Sequence, residues 1–540
     1  MTGVDVGTRP DPVLSSPEQQ HRTPVRTISR NHGWAVGFAL ALVVLWSVLA
    51  VIDAGGKGTV PAPWTVVHGL WADRSLYPAQ IQSTVAEALE GVLIAGVAGV
   101  VLGSIFELWP WTAIVLNGPA ITLVCVPALV WAPLLAIVFS PHAAKVGLAA
   151  LAAFLPILIG TMTGLRSADP QAVEVVRVFG GSRLDELWRV RLRAALPLMT
   201  AGFRVAVPGA ILGATIGEFV GGNQGLGIFM VEAVRQYLPA RVWGAGAVVT
   251  ALGVIGYVAT GWIGRQFATP TAARTSAPLV LRGARTHRVL APLGRLVLGV
   301  AVTLGAWRFV IVADHLDSFF AKTPASVWHF MTSTGPVDDS RTTIFTALGQ
   351  TGPGVALGIV LGLTIGIALA VACVADRRVE SMLLPPALAL QSVPLQAFSP
   401  VLVLIFGRGL IVILVISVII SFFPTVALTT AGLRHVPAES LDVLRGCDAS
   451  PWQVLTTLRL PAAIPSIFAS ARIAIPSSIL GVLVAEYLAT STGIGHVMVV
   501  AQSESEYSLL WSTATVMTII SVVVYLSLTG AERLAARRFG

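Results

Sequence analysis

A chain of 540 residues that is 55% hydrophobic and only 11% charged, with a mean hydropathy of +0.80, is too apolar for a soluble enzyme. Its formal charge of +8 and pI near 9.9 would point to nucleic acid in a soluble protein. In an apolar chain, arginines flanking membrane segments account for the same excess, so no nucleic-acid partner is expected. Three cysteines, Cys125, Cys373 and Cys447, show neither metal-ligand spacing nor a plausible pairing, so neither a metal site nor a disulfide is indicated.

Apolar runs of about 20 residues are the length of a membrane span. Twelve are legible, at roughly 33–52, 86–106, 112–139, 143–165, 200–219, 242–263, 290–313, 351–374, 383–406, 409–433, 467–488 and 509–530. The first follows a polar tail over 1–32 and lacks a small-residue cleavage site, so a signal peptide is not expected. Six spans fall in 33–265 and six in 290–538, with an Ala/Thr/Pro/Arg-rich tether over 266–289. Arginines gather in the tail (Arg9, Arg22, Arg26, Arg30), in or beside the tether (Arg265, Arg274, Arg282, Arg285, Arg288) and at the end (Arg533, Arg537, Arg538). With twelve spans, the positive-inside rule then predicts a multi-pass protein of the cell membrane with both termini cytoplasmic.

The chain is also a repeat. An offset of 268 residues places Pro156 on Pro424, Gly164-Leu165-Arg166 on Gly432-Leu433-Arg434, Arg177 on Arg445, and Arg204 on Arg472. The same offset pairs Pro208 with Pro476, Gly213 with Gly481, Glu218 with Glu486, Gly225 with Gly493, and Gly227 with Gly495. Six spans is an even number, so the two halves lie the same way up. Such halves are related by a pseudo-two-fold axis along the membrane normal, with a pathway between them.

In each half the loop after the fourth span is long and charged. Asp169-Pro170 starts a short helix that Gly180-Gly181 stops. Ser182 and Asp185 resemble a capping box for a second helix. There Leu184, Leu187, Trp188, Leu192 and Ala195 share a face by spacing, Asp185 and Arg189 pair at i,i+4, and Pro197 is expected to close the helix. The second copy repeats this with Asp442, Arg445 and Asp448, then Ser450-Pro451 as cap and Trp452 and Leu455 on the apolar side. Asp448 sits where the first copy has glycine, and Asp tolerates a left-handed turn better than most residues. A helix–turn–helix with an apolar ridge suits docking of a soluble partner; the alternative is an interfacial helix on membrane lipid. Its recurrence at matching positions favours docking.

The stretch Glu174-Val175-Val176-Arg177-Val178-Phe179-Gly180 resembles the Glu-Ala-Ala loop of bacterial ATP-binding-cassette importer permeases. Its flanks, GLR before and LPLMTAGFRVAVPGAILGATIGE with GLG after, and their second copies, resemble the nitrate/sulfonate/taurine-type branch, which includes transporters of pyrimidine vitamin precursors. The resemblance implies an all-α type I importer permease fold, two permease domains fused in one chain, and no cofactor. It implies two separate ATPase subunits received by loops 166–199 and 434–467, through Glu174, Arg177, Gly180, Leu184, Leu187, Trp188, Asp442, Arg445, Asp448, Trp452 and Leu455. It further implies an extracytoplasmic solute-binding protein, and a small anion or a vitamin precursor as solute. Two departures stand out: Arg193 replaces the usual proline that Pro461 retains, and Asp442 replaces glutamate.

The chain has three lysines, Lys57, Lys145 and Lys322, and no Walker A loop, so energy must come from a partner. Glu218 and Glu486, with Arg204 and Arg472, are candidates for a gate or pathway, against snorkelling near span ends. His142, Gln391 and Gln396 are weaker candidates, and Gly225-Leu226-Gly227 and Gly493-Ile494-Gly495 read as external loops, either contacts for the binding protein or plain turns. The rival is a twelve-span secondary transporter of the major-facilitator kind, for which ADRRVE at 375–380 speaks faintly; its fold offers no long loop after the fourth span of each half. No HExxH, paired-aspartate or Ser/His signature marks a membrane enzyme, and no catalytic residue is assigned.

Overall fold

The computed structural model describes most of residues 40–112, and 126–266, 290–382 and 399–539 with short gaps; Gln391, Gln396 and most of the tether lie outside the described residues. The first half comprises α1 (Pro63–Ala72), α2 (Tyr77–Leu108), α3 (Ala128–Val138), α4 (Pro141–Arg166), α5 (Pro170–Val178), α6 (Arg183–Glu186), α7 (Leu192–Gly221), α8 (Leu226–Arg235) and α9 (Pro239–Gln266). The second comprises α10 (Leu290–Ala313), α11 (Pro324–Thr332), α12 (Asp338–Ala375), α13 (Ser399–Phe406), α14 (Leu410–Arg434), α15 (Ala438–Gly446), α16 (Pro451–Val454), α17 (Leu460–Ala489), α18 (Ile494–Ser503) and α19 (Tyr507–Phe539). Among the described residues the protein is all helix, and eight helices are long and apolar enough to cross a membrane. Of the runs expected at 112–139 and 383–406, the described helices are the short α3 and α13.

Two long helices, α2 and α7, pack on α4 in the first half and also touch each other; α12 and α17 pack on α14 in the same way. Lipid offers no hydrophobic gain for helix association, so small residues must let the backbones come close. They do so at spacings of four or eight residues. Gly91 and Gly99 of α2 lie on Ala149 and Ile157, while Gly358, Gly362 and Gly366 of α12 lie on Ser417, Ser421 and Thr425. The halves meet through their short helices: α3 packs on α17 and α19, and α13 on α8 and α9.

One expected boundary is wrong. Pro197 does not close the loop helix; it lies inside α7, and helix runs unbroken from Arg183 to Gly221. The link is a π-helical turn, Leu187–Arg191, matched by Leu455–Arg459 in the second half. A proline forfeits one backbone bond, which a packed membrane helix tolerates. The wider turn also rotates the apolar face. Leu187 and Ala195 therefore turn inward and are buried, whereas Leu184 and Trp188 stay exposed, instead of all sharing one ridge.

Candidate functional site

The two charged loops lie at one end of the bundle, and local chemistry shapes both. Asp169 caps α5 by accepting from the Gln171 N–H at 2.9 Å, and Gly180 then takes φ +77°. Ser182 and Asp185 form the expected capping box, and Asp185 meets Arg189 at 3.3 Å. In the second copy Ser450 and Gln453 form the box, and Asp448 adopts φ +53°, the left-handed turn anticipated for it. Apolar side chains project outward from each loop. Phe179 is 86% exposed and Trp188 64%, with Val175 and Val178 beside them; the second loop offers Val443 and Trp452, the latter 69% exposed. Leu455, like Leu187, faces inward. Glu174 is exposed, as are Asp442 and Arg445, which pair with each other at 3.4 Å.

Beneath the first loop runs a chain of ion pairs that sequence reasoning missed. Arg177 makes a two-pronged contact with Glu186, Nε–Oε1 at 2.5 Å and Nη2–Oε2 at 3.2 Å. That hydrogen bond, and then the charge of Glu186, push the Arg177 guanidinium further up in pKa. Arg191 lies 3.6 Å from Glu186 and 2.5 Å from Glu107 at the end of α2; Arg166 also reaches Glu107, at 3.5 Å. The first loop is thus tied to two long helices by charge. At the position of Glu186 the second loop has Val454, and there Arg434 pairs with Glu380.

At the opposite end, Glu218 and Glu486 are 0% and 1% exposed, so headgroup snorkelling does not explain them. Glu218 accepts the Thr84 hydroxyl at 2.6 Å and the Gly227 N–H at 2.5 Å, while the Leu226 N–H donates to Thr84 Oγ1 at 2.9 Å. Glu486 repeats this with Thr351 at 2.7 Å and Gly495 at 3.0 Å, and Ile494 donates to Thr351 at 3.1 Å. Gly225 and Gly493 donate to Gln80 and Gln350, at 2.6 and 3.0 Å. These glutamines are not at equivalent positions: Gln80 precedes Thr84 by four residues, Gln350 precedes Thr351 by one. Each carboxylate is therefore a latch that fastens the end of its long helix to the following turn and to another long helix of its half, α2 in the first and α12 in the second. The GLG and GIG segments belong to these latches, with Leu226 and Ile494 fully buried. Thr84→Val removes one donor to Glu218 and the acceptor of the Leu226 N–H; the expected loss is about 2–4 kcal/mol, and the same for Thr351→Val. Denaturant titration of the purified variants checks this.

The two arginines go elsewhere. Arg204 is exposed and sits over the Tyr257 ring of α9 at 4.0 Å, and Arg472 pairs with Glu532 of α19 at 2.9 Å. Both stand between a long helix and the last helix of the half. His142 Nε2 lies 2.9 Å from Glu90, beside a buried pair of Glu87 and Lys145 that the sequence reading did not single out. No group of three or more His, Cys, Asp or Glu suited to a metal occurs among the described residues.

The sequence matches the family described as binding-protein-dependent transport system inner membrane component over residues 95–269 and again over 358–540. It is similar to a probable ABC transporter permease protein of Haemophilus influenzae, 34% identical over 152 residues, or 28% of this chain and 62% of that protein. The chain thus spans less than two thirds of that relative. It is also similar to the formylaminopyrimidine transport permease protein of Halalkalibacterium halodurans, 28% identical over 41% of this chain and 89% of that one. A third relative is a putative aliphatic sulfonates transport permease protein of Bacillus subtilis, 28% identical over 41% of this chain and 82% of that one. In the last two cases nearly a whole relative corresponds to less than half of the present chain.

Proposed function

Because the chain belongs to the family of binding-protein-dependent transport system inner membrane components, and carries its match twice, we propose that it forms the whole translocation pathway of an ATP-driven importer. Two permease units in one polypeptide, 33–265 and 290–538, face each other in the membrane, with both termini and the loops 166–199 and 434–467 in the cytoplasm. Two separate ATPase subunits receive the loops, and an extracytoplasmic binding protein delivers solute to the opposite end. The relatives named for aliphatic sulfonates and formylaminopyrimidine support a small organic anion or a vitamin precursor as solute.

The observation that carries this reading is the pair of loops. Each is a capped helix–turn–helix at a matching position, and each holds a tryptophan in the open, Trp188 and Trp452. An exposed tryptophan beside other apolar side chains is the composition of a protein interface. Closure of the two ATPases on ATP would draw the loops together and rock the halves about the contacts that α3 and α13 make. Loops of this length after the fourth expected span also weigh against a secondary transporter.

Co-purification tests the proposal. Expressed with its cognate ATPase subunits, the tagged chain is expected to retain them, and Trp188→Ala combined with Trp452→Ala to lose at least nine-tenths of them at unchanged chain level. Retention by the double variant, or solute uptake without ATP, would rule the reading out.

A further inference from the structure

At one corner the two halves carry the same charged and aromatic residues save one. Arg204, Tyr257 and Arg265 match Arg472, Tyr525 and Arg533 at the offset of 268, but Gly264 stands where the second half has Glu532. Glu532 takes the Arg472 guanidinium, Nη1–Oε2 at 2.9 Å, and holds its Cζ 6.0 Å from the Tyr525 ring centroid. Without that acid, the Arg204 guanidinium lies on the Tyr257 ring at 4.0 Å. Among the described residues no hydrogen bond or ion pair engages Arg204, and the sequence that follows α9, 267–289, contains no Asp or Glu. A guanidinium carries five N–H donors in one plane, and a ring face satisfies none of them as a lone pair would.

This unpaired cation lies near a helix end. Gly261, on which Arg204 packs, precedes the end of α9 at Gln266 by five residues, about 8 Å of helix. Arg265 follows Gly261 by one turn on the same face and is exposed. On the neighbouring face Val254, Val258 and Trp262 recur at four-residue spacing, all exposed, and Val205 is exposed beside Arg204. A stripe of large apolar side chains on a membrane helix is a surface for acyl chains rather than a path for a polar solute. A tryptophan and an arginine at the end of such a helix mark the headgroup level.

We propose that Arg204, Tyr257 and Arg265 form a site for the phosphate of one anionic phospholipid, which fills the place that the Glu532 carboxylate fills in the second half. The phosphate oxygens accept from both guanidinium groups, a match that the planar arginine fork makes two-pronged. The acyl chains run along Val205, Val258 and Trp262. A free phosphate offers the same oxygens but nothing for that apolar surface, so lipid is the occupant. The second half supplies its own carboxylate, and the site occurs once per chain. The cytoplasmic leaflet carries anionic lipid, and the orientation proposed above puts this end of α9 there. The site itself does not depend on that orientation.

Native mass spectrometry of the delipidated full-length chain in a neutral detergent tests it. The probes are phosphatidylglycerol, phosphatidylcholine with the same acyl chains, and inorganic phosphate. One phosphatidylglycerol should bind at least fivefold more tightly than the second, and than any phosphatidylcholine, and a tenfold excess of inorganic phosphate should not displace it. Arg204→Gln should weaken this first lipid to the level of the second. Glu532→Gly, which copies Gly264 into the second half and frees Arg472, should yield a second tight lipid. Gly264→Glu supplies the missing carboxylate and should abolish the tight site. Its Cβ would press on Thr200 at 3.0–3.2 Å, so if that variant fails to fold, the Arg204 and Glu532 variants decide. Graded binding with no distinct first lipid, equal affinity for phosphatidylcholine, a first lipid unmoved by Arg204→Gln, or an unchanged count in Glu532→Gly would each overturn the site. Displacement by inorganic phosphate would overturn lipid as its occupant.

Discussion

Replacing Gly225 by alanine is expected to abolish the folded protein, and Gly493→Ala to do the same from the other half. Gly225 has φ +126° with ψ 162°, and Gly493 φ +94° with ψ 172°, a region that is essentially glycine's alone. The backbone cost is of order 1–3 kcal/mol. Space adds more, because a Cβ at either position would fall on the carboxylate of Glu218 or Glu486. That carboxylate cannot step aside without abandoning a threonine hydroxyl and a glycine N–H, each about 1–3 kcal/mol when left unpaired. The sum exceeds about 4 kcal/mol, a large part of a domain's stability. Fluorescence-detected size exclusion should show loss of the monodisperse peak. Gly305→Ala, where nothing lies within 4 Å of a new Cβ, is the control expected to elute and melt like wild type. A Gly225→Ala protein melting within about 2 °C of wild type would refute the latch.

The second large effect concerns coupling rather than stability. Glu186→Val gives the first loop the residue that the second loop has at Val454. Folding should survive, since Arg191 keeps Glu107 at 2.5 Å and the Arg177 side chain is 61% exposed. What disappears is the link from the outer loop helix, through Arg177 and Glu186, to Arg191 and α2. In the reconstituted importer, ATP-driven uptake is expected to fall at least tenfold while ATP hydrolysis continues. Val454→Asn, a polar change at the matching site that has no arginine pair to break, is expected to cost less than threefold. Equal losses from the two changes would show that the charged chain under the first loop does not transmit motion.

Much of this molecule was legible from residue spacing, because its strongest signals are local. Asp169-Pro170, Gly180 and the Ser182/Asp185 box set the first loop by chemistry within a few residues, and the 268-residue offset carried the same layout to Ser450-Pro451 and Asp448. What escaped was either a non-standard turn or a contact between distant segments. The π turns at Leu187–Arg191 and Leu455–Arg459 leave no mark in a 3.6-residue pattern, so Pro197 read as a stop when it lies within α7. Glu218 was singled out by recurrence, but its partner Thr84 lies 134 residues away. The match of Thr84 with Thr351 is visible in the sequence at an offset of 267, and was the available clue to both latches. Glu186 and Glu107 recur at neither position, so nothing in the repeat drew attention to them.

The unbroken helix from Arg183 to Gly221 has a mechanical consequence. Its 39 residues at 1.5 Å each make a rod about 58 Å long, stiff apart from its π turn and its prolines. One end carries Trp188, and the other is bolted by Glu218. A tilt of about 5° about its midpoint would displace each end by roughly 2.5 Å in opposite directions, by the geometry of a rod of that length. That is about the size of the helix shifts by which packed interfaces switch between alternatives. If the loop takes up a partner as proposed, such a rod would work as a seesaw: a small push at the loop would arrive at the latch without any intermediate segment having to unfold.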